Sequence, residues 1–362
     1  MARLALHRED VIVGVDTHKD AHVAVALDGL GGWLGQQTVA ASPDGYAALV
    51  AWATQLGAVS RFGVEGTGSY GSGLARFLRR HSHVVIEVSR PPRKGERRRS
   101  GKSDAIDAEH AAREVLAGTA RAVPKLADGA IEAIRLLKIA RDTAVKAHSQ
   151  AMITLKATLV TASDALRAEL EPLSAFRLIQ ACAALEADGP IADPAVAMRQ
   201  VLRSLAQRWL VLHDEIKMHG AHLKTLTKAA APELVAAFGI GPDIAAELLV
   251  TAGENTDRIR SEAALAKLCG VCPIPASSGK TSGRHRLNRG GNRQANAALY
   301  RAVVVRMRWH PATMAYVERR TTEGLSKKEI IRCLKRYVVR EIYRLLPAPS
   351  SSTGFTSDGR TT

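Results

Sequence analysis

The chain has little of what would tie it to a membrane or to an oxidising compartment. No apolar run approaches the roughly 20 residues that span a bilayer, and the first ten residues, MARLALHRED, lack a signal-peptide core. Its four cysteines, Cys182, Cys269, Cys272 and Cys333, are too scattered for a disulfide framework. Cys269 and Cys272 form a C-x-x-C, but no second pair follows at zinc-ribbon spacing, so buried thiols are expected rather than zinc. Acidic residues are also short, 35 Asp and Glu against 51 Lys and Arg, and the net charge of +16 favours a polyanionic partner over a neutral metabolite. Nucleic acid is the first candidate, and a cytoplasmic, nucleoid-associated location is the matching expectation.

What is present, over 362 residues and with 46% hydrophobic composition, is enough for two or three globular domains. Val11 to Asp16 is a short, nearly all-apolar, β-branched run, the pattern of a buried central strand that ends in a carboxylate. His22 to Leu27 alternates and predicts a hairpin partner. Pro43 to Leu56 is helical in pattern. Arg61 to Glu65 is a second strand ending in an acid, followed by the glycine-rich turn Gly66 to Gly71 and a helix through Arg80. His83 to Val88 reads as a third core strand.

Asp104 and Asp107 follow in an Ala-rich stretch. On a helix their spacing puts both carboxylates on one face, where like charges repel. A structural role is open to them, with Asp104 as N-cap and Asp107 as the third helical residue. The alternative is a divalent cation that neutralises the pair with help from other carboxylates. Asp16 and Glu65 at strand ends supply such a set. A strand Asp, a second strand Glu and a helical D-x-x-D is the carboxylate constellation of ribonuclease H-like nucleases, in which two magnesium ions clamp the phosphate being cut. Just before Asp104, residues 90–102 carry seven positive charges and one negative. Arg97, Arg98, Arg99 and Lys102 in this run are candidate phosphate contacts, blind to base sequence.

The motifs Val-Gly-Val-Asp16-Thr-His-Lys, Val-Glu65-Gly-Thr-Gly and Lys102-Ser-Asp104-Ala-Ile-Asp107-Ala resemble the DEDD motifs of the IS110-family transposases, whose N-terminal domain is similar to the RuvC Holliday-junction resolvase. The resemblance implies a RuvC-like catalytic domain over residues 1–125, with Asp16, Glu65, Asp104 and Asp107 as catalytic metal ligands.

Residues 126–230 read as a helical spacer. Val145, Met152, Leu159 and Leu166 recur every seven residues, with His148, Leu155 and Ala162 interleaved. Leu202, Leu205, Trp209, Leu212, Ile216, His219, Leu223 and Leu226 alternate steps of three and four. These heptads predict a long antiparallel helical hairpin or an intermolecular coiled coil, with Pro172, Gly189, Pro190 and Pro194 marking the turn region. His148 and His219 are expected to set register. A homo-oligomer is the matching partner expectation.

Residues 231–346 form the third segment. Leu234 to Leu249, two short helices joined by Gly239-Ile-Gly-Pro242, resembles a helix-hairpin-helix that faces a phosphate. After a helix over Ser261 to Leu268 comes a Gly- and Ser-rich basic stretch through Asn292 without helix signals. A serine there ordinarily holds a phosphate, and on chemistry alone Ser277, Ser278 and Ser282 are equivalent. The pattern Pro-x-x-x-x-Ser278-Gly279-Lys, with Arg289-Gly-Gly-Asn292-Arg, resembles the C-terminal domain of the same transposases, in which the serine before that glycine attacks DNA and becomes joined to it. The resemblance therefore implies Ser278 as nucleophile, with Ser277 one residue away.

No Ser-His-Asp order lies near residue 278, and His285 is the one nearby candidate base. The expected solution is that the carboxylates of the first domain lie opposite Ser278, while Lys280, Arg284, Arg286, Arg289 and Arg293 hold the strands. Family resemblance implies a site assembled between protomers. Ala295 to Arg308 and Lys327 to Leu346 are basic helices expected to pack together, and the tail from Pro347 is expected to be disordered.

The fold class expected is thus α/β plus all-α, and the function DNA transposition through Mg2+ and a serine–DNA intermediate. A structured guide RNA encoded by the element is implied as a further partner. The competing readings are a resolvase-type nuclease without a serine intermediate and a catalytically dead nucleic-acid-binding relative. A sugar-kinase-like ATPase, prompted by Gly14-Val-Asp16-Thr, lacks the second Asp-x-Gly-Thr loop.

Overall fold

The computed structural model describes residues 7–89, 103–275, 285–287 and 290–348, with Arg286 and Leu287 described by backbone alone. They fall into two compact units. One holds the described residues up to Asp128 together with Gly253–Arg258; the other holds Gly129–Ala252 and Ile259–Ala348.

The first unit is built on β1 (Asp10–Thr17), whose apolar run is buried on both faces. It pairs antiparallel with β2 (Ala21–Asp28), and β2 with β3 (Trp33–Ala40). The helix α1 (Pro43–Gln55) returns the chain to β4 (Ala58–Glu65), which lies parallel to β1. A second crossover through α2 (Ser72–Arg80) leads to β5 (Val85–Val88), parallel to β4. The sheet order is therefore β3-β2-β1-β4-β5.

One face carries α1 and α2, packed as Leu49, Leu74 and Leu78 on Val11, Val13, Phe62 and Val64. The other carries α3 (Asp104–Leu116), whose Ala108, Ala111, Ala112 and Val115 rest on Ile12, Val25, Leu27 and Val88. The strand β3 was not expected from the sequence. It is an edge strand, largely exposed, and Gly35-Gln-Gln lacks the apolar alternation that marks a buried one.

Two glycines decide how close α3 comes. A Cβ built on Gly14 would stand 2.0 Å from the Ala108 carbonyl oxygen and 2.3 Å from the Ala112 nitrogen. One built on Gly63, beside it on β4, would stand 2.7 Å from Val115 Cγ2 and 3.0 Å from the Ala111 oxygen. The Ala-rich helix face and the two bare positions let backbone lie on backbone.

A distant segment completes this unit. Asn255 Nδ2 donates to the Pro124 carbonyl at 3.0 Å, and Leu126 N donates to Asn255 Oδ1 at 3.3 Å. Arg79 adds three donations to the carbonyls of Pro124, Lys125 and Leu126.

In the second unit, α4 (Ala130–Leu159) and α7 (Pro194–Ala230) run antiparallel. Ala151, Leu155 and Leu159 meet Leu202, Ala206 and Trp209 at one end, and Ile131 and Ile134 share a cluster with Leu223 at the other. Two short helices, α5 (Asp164–Leu170) and α6 (Ala175–Ala183), close the first end with Leu166, Leu170, Leu178 and Ile179. Two details differ from the sequence pattern. Val145 is 36% exposed while Ala144 is buried, and Leu166 belongs to α5 because α4 ends at Leu159 in a turn at Thr161. The His148 ring lies 4.0 Å from that of Trp209, and His219 faces Glu215 at 3.6 Å.

The rest of the unit packs around one core. Its elements are α8 (Pro232–Ala236), α9 (Pro242–Ala252), α10 (Glu262–Leu268), the two-stranded β6 (Pro273–Pro275) and β7 (His285–Leu287), α11 (Arg293–Trp309), α12 (Pro311–Thr322) and α13 (Lys327–Leu345). A capping box between Ser326 and Glu329 starts α13. Arg306, 8% exposed at its side chain, holds α11 to α13 through both oxygens of Glu341 at 2.6 and 2.9 Å. Lys138 on α4 reaches Asp142 at 3.0 Å, Asp243 at 3.3 Å and Glu247 at 3.5 Å, the last two on α9. Arg141 and Arg301 also reach Asp243, so its carboxylate occupies the start of α9 with three cations around it.

Candidate active site

The four candidate carboxylates lie in the first unit, at the C-terminal ends of β1 and β4 and the N-terminal turn of α3. The register that pairs Val15 with Val64 makes Asp16 and Glu65 the next residues on two adjacent parallel strands. Period-two alternation puts them on the face of Gly14 and Gly63, the face that α3 covers. Thr17 fixes the ends together, its hydroxyl donating to the Glu65 carbonyl at 3.0 Å. Asp16 and Glu65 are 7% and 4% exposed.

From above, α3 presents Asp104 and Asp107 in its first turn. Ser103, not Asp104, is the N-cap, in extended conformation at φ −138°. Asp104 is thus the first helical residue, shifted by one from the expected cap, and its carboxylate is released from capping to point elsewhere. It points at His18, whose Nε2 lies 3.4 Å from Asp104 Oδ1 and 3.1 Å from Asp16 Oδ2.

His18 is a further member of this constellation, beyond the four carboxylates that the motifs point to. The signal was its place two residues past a strand-end carboxylate. By contrast His22, on β2, is fully buried on the opposite face, stacked on Tyr46 at 5.7 Å between ring centres. Burial holds its imidazole below the usual range.

Burial pushes the Asp16 carboxyl above its ordinary value; His18 opposes this, and Asp107 and Asp104 add to it by repulsion. A site that crowds acids in low dielectric has a standing demand for positive charge. The carboxylate oxygens suit a hard divalent cation, while the His18 imidazole is a borderline donor. One ligand atom each from Asp16, His18 and Asp104 lie within 4.8 Å of one another. Donors around a magnesium-sized ion, at about 2.1 Å from it, are separated by at most about 4.2 Å, which is the scale of this cluster. Asp107 is close enough to act on Asp16, and Glu65 flanks it on the neighbouring strand.

The remaining candidates are less fully placed. Arg293 is exposed in the first turn of α11, next to the N-cap Asn292, and His285 is exposed on β7. Ser277, Ser278, Ser282, Lys280, Arg284 and Arg289 lie outside the described residues, as do Arg97, Arg98, Arg99 and Lys102. Cys269 is buried, its thiol pushed up to about 12, and Cys272 is half-buried.

A mixed sheet with acids at adjacent strand ends and two more on the covering helix is consistent with the ribonuclease H-like class of carboxylate-dependent proteins. Comparison with known families makes this specific. The DEDD transposase model of IS110 type matches residues 13–163, and the model described as the transposase IS116/IS110/IS902 family matches residues 232–318. The chain belongs to the IS110 family of insertion-element transposases. It is 30% identical over 148 residues to an uncharacterized 43.6 kDa protein of insertion element IS110 from Streptomyces coelicolor, covering 40% of this chain and 36% of that one. It is 29% identical over 108 residues to an uncharacterized 42 kDa protein of insertion element IS900 from Mycobacterium paratuberculosis, covering 30% and 27%. The matched region thus spans about a third of the length of these curated relatives. A DEDD domain implies use of a divalent metal. No helix among the described residues is long and apolar enough to cross a membrane.

Proposed function

We propose that the protein is a DNA transposase that cuts and rejoins strands of its own insertion element, using Mg2+ and a covalent serine–DNA intermediate. The observation that carries the reading is the convergence of Asp16 with Asp104 around His18, with Asp107 acting on the same carboxylate and Glu65 on the adjoining strand. Asp16, Glu65, Asp104 and Asp107 would hold the metal, in a RuvC-like arrangement of two ions. When bound, the ions supply electrophilic stabilisation of charge on the reacting phosphate and its leaving oxygen.

The chain's own groups do the rest. Ser278 is the nucleophile: its Oγ loses a proton and attacks phosphorus, a sugar hydroxyl leaves with a proton, and the phosphoserine ester conserves the bond for rejoining by another strand's hydroxyl. His18, with Nε2 between the Asp16 and Asp104 carboxylates, is a positioning residue for them. The basic run at Arg97, Arg98, Arg99 and Lys102, and the cations Lys280, Arg284, Arg286, Arg289 and Arg293, hold the DNA backbone and any structured guide RNA. The two helices of residues 234–249, read as a helix-hairpin-helix, would face a further phosphate, and the α4–α7 hairpin, read as the joint between protomers, would make the homo-oligomer that works on nucleoid DNA in the cytoplasm.

The test incubates purified protein with DNA of the element ends, the element's transcripts and magnesium, and looks for denaturant-resistant protein–DNA adducts. Wild type is expected to give adducts, and Ser278→Ala and Asp16→Asn none. Adducts that persist in Ser278→Ala would exclude this nucleophile. Cleavage without adducts in that variant would favour a resolvase-type nuclease.

A further inference from the structure

At the foot of the β6–β7 hairpin, whose connection carries Ser277 and Ser278, opens a cavity of about 770 Å³. Pro273 and His285 form one wall, and the floor is a face of α13. The spacing explains its chemistry. Ile330, Leu334, Val338 and Ile342 bury one side of α13 in the core, so Arg332, Arg336 and Arg340, four apart, line up on another, with Lys335 flanking them. Arg320 from α12 adds a fifth cation, while the lining contributes one carboxylate, Glu329.

The five are not equally compensated. Glu262 takes Arg336 at 3.1 Å and Arg340 at 3.2 Å, and Glu323 takes Arg320. Among the described residues neither Arg332 nor Lys335 meets a carboxylate. Lys335 is only 8% exposed, and its ammonium donates to the neutral Asn296 Oδ1 at 2.8 Å. Burial, then repulsion from Arg332, holds that ammonium below its usual range. Arg336 Nη1 is buried with no hydrogen-bond acceptor among the described residues. Gathering uncompensated cations around a void works against folding, so the arrangement calls for an anion from outside. Tyr337 stands in the same wall, 50% exposed, braced edge-on by Tyr316 and with the Arg340 guanidinium 5.8 Å from its ring centre. Cations beside an open aromatic face are what an unpaired nucleotide engages. A cavity of this size excludes a duplex but admits one or two nucleotides of a single strand.

We propose that this cavity is a subsite for unpaired DNA, its phosphates held by Arg332 and Lys335 and one base stacked on Tyr337. The inference rests on the proposed function in naming DNA as the strand, because cutting and rejoining strands exposes unpaired ends.

The test measures binding of a fluorescent 15-nucleotide single strand to the full-length protein over a range of salt. The double variant Arg332→Gln/Lys335→Gln is expected to bind at least about tenfold more weakly, and to lower the slope of log affinity against log salt by about 1.4, or 0.7 for each lost phosphate contact. Tyr337→Leu is expected to weaken binding about five- to a hundredfold without changing that slope. Wild-type protein irradiated with a strand carrying 5-bromouracil is expected to cross-link at Tyr337, a readout that does not depend on any variant folding. Unchanged affinity and slope in the double variant, or cross-links mapping away from α13, would overturn the proposal. Tighter binding of RNA of the same sequence, cross-linked at Tyr337, would overturn the assignment to DNA. Loss of binding in the double variant, in a protein that never cleaves DNA with magnesium, would uphold the cavity while removing the enzymatic reading.

Discussion

Gly14→Ala adds a single methyl group to the middle of β1, and the structure fixes what it meets. The new Cβ would lie 2.0 Å from the Ala108 oxygen and 2.3 Å from the Ala112 nitrogen, both backbone atoms of α3. An ordinary carbon–oxygen contact is roughly 3.3 Å, so the helix must lift by more than about 1 Å. Overpacking of this kind costs about 1–3 kcal/mol. At roughly 4 °C per kcal/mol for a unit of this size, Tm is expected to fall by about 4–12 °C. The functional effect is expected to be larger than the loss of fold. The lifted helix carries Asp104 and Asp107 away from Asp16 and His18, and a displacement of about 1 Å at reacting groups costs roughly a hundredfold. The assays are thermal denaturation, calorimetric titration with Mg2+ and adduct formation, each below the variant's Tm. Gly35→Ala serves as control: its Cβ would meet Trp52 at an unremarkable 3.5 Å, and wild-type behaviour is expected. A Gly14→Ala protein with wild-type Tm, ion binding and adduct yield would refute the argument that bare backbone sets the spacing of the site.

Asp16→Asn removes a buried charge that its neighbours repel, so the metal-free protein is expected to melt at the same or a higher temperature, while the upward Tm shift that Mg2+ gives the wild type disappears in a thermal-shift assay. Lys138→Met strands the buried Glu247 carboxylate; about 3 kcal/mol of destabilisation is expected by urea denaturation, largely recovered in Lys138→Met/Glu247→Leu. Glu341→Gln is expected to cost about 1–2 kcal/mol at neutral pH, discounted for a carboxylate that is partly exposed. Arg306 holds the Glu341 carboxyl below its ordinary value, so its stabilisation is full above about pH 4.5 and fades as pH falls through the lowered value. The urea midpoints of wild type and variant should therefore converge on acidification.

Much of the first unit was legible because its signals are local. The runs ending in Asp16 and Glu65 announce buried parallel strands, and the D-x-x-D of α3 announces one helical face. What the sequence does not announce is convergence, since the approach of α3 depends on Gly14 and Gly63, which in sequence look like weak points in two strands. His18 escaped notice for a related reason: a histidine near a strand end gains meaning only when a helix from ninety residues later is laid over it. The edge strand β3 escaped because exposed strands carry no apolar alternation. In the second unit the heptad periods of α4 and α7 could be read off, but not the burial of Ala144 in place of Val145, which a one-residue rotation of the helix face decides. The cations of α13 were legible as a basic helix; only their assembly around one cavity required the fold.

The return of Gly253–Arg258 to the sheet-bearing unit has a practical corollary for anyone who would dissect this protein. A gene fragment ending at Asp128 would encode every acid of the site yet omit Asn255, which tethers the carbonyl of Pro124 and the amide of Leu126. Because the two units are interleaved along the polypeptide, neither can be cloned out or exchanged between relatives with a single cut. Chimaeras should be spliced inside loops of one unit, never at the apparent border between them.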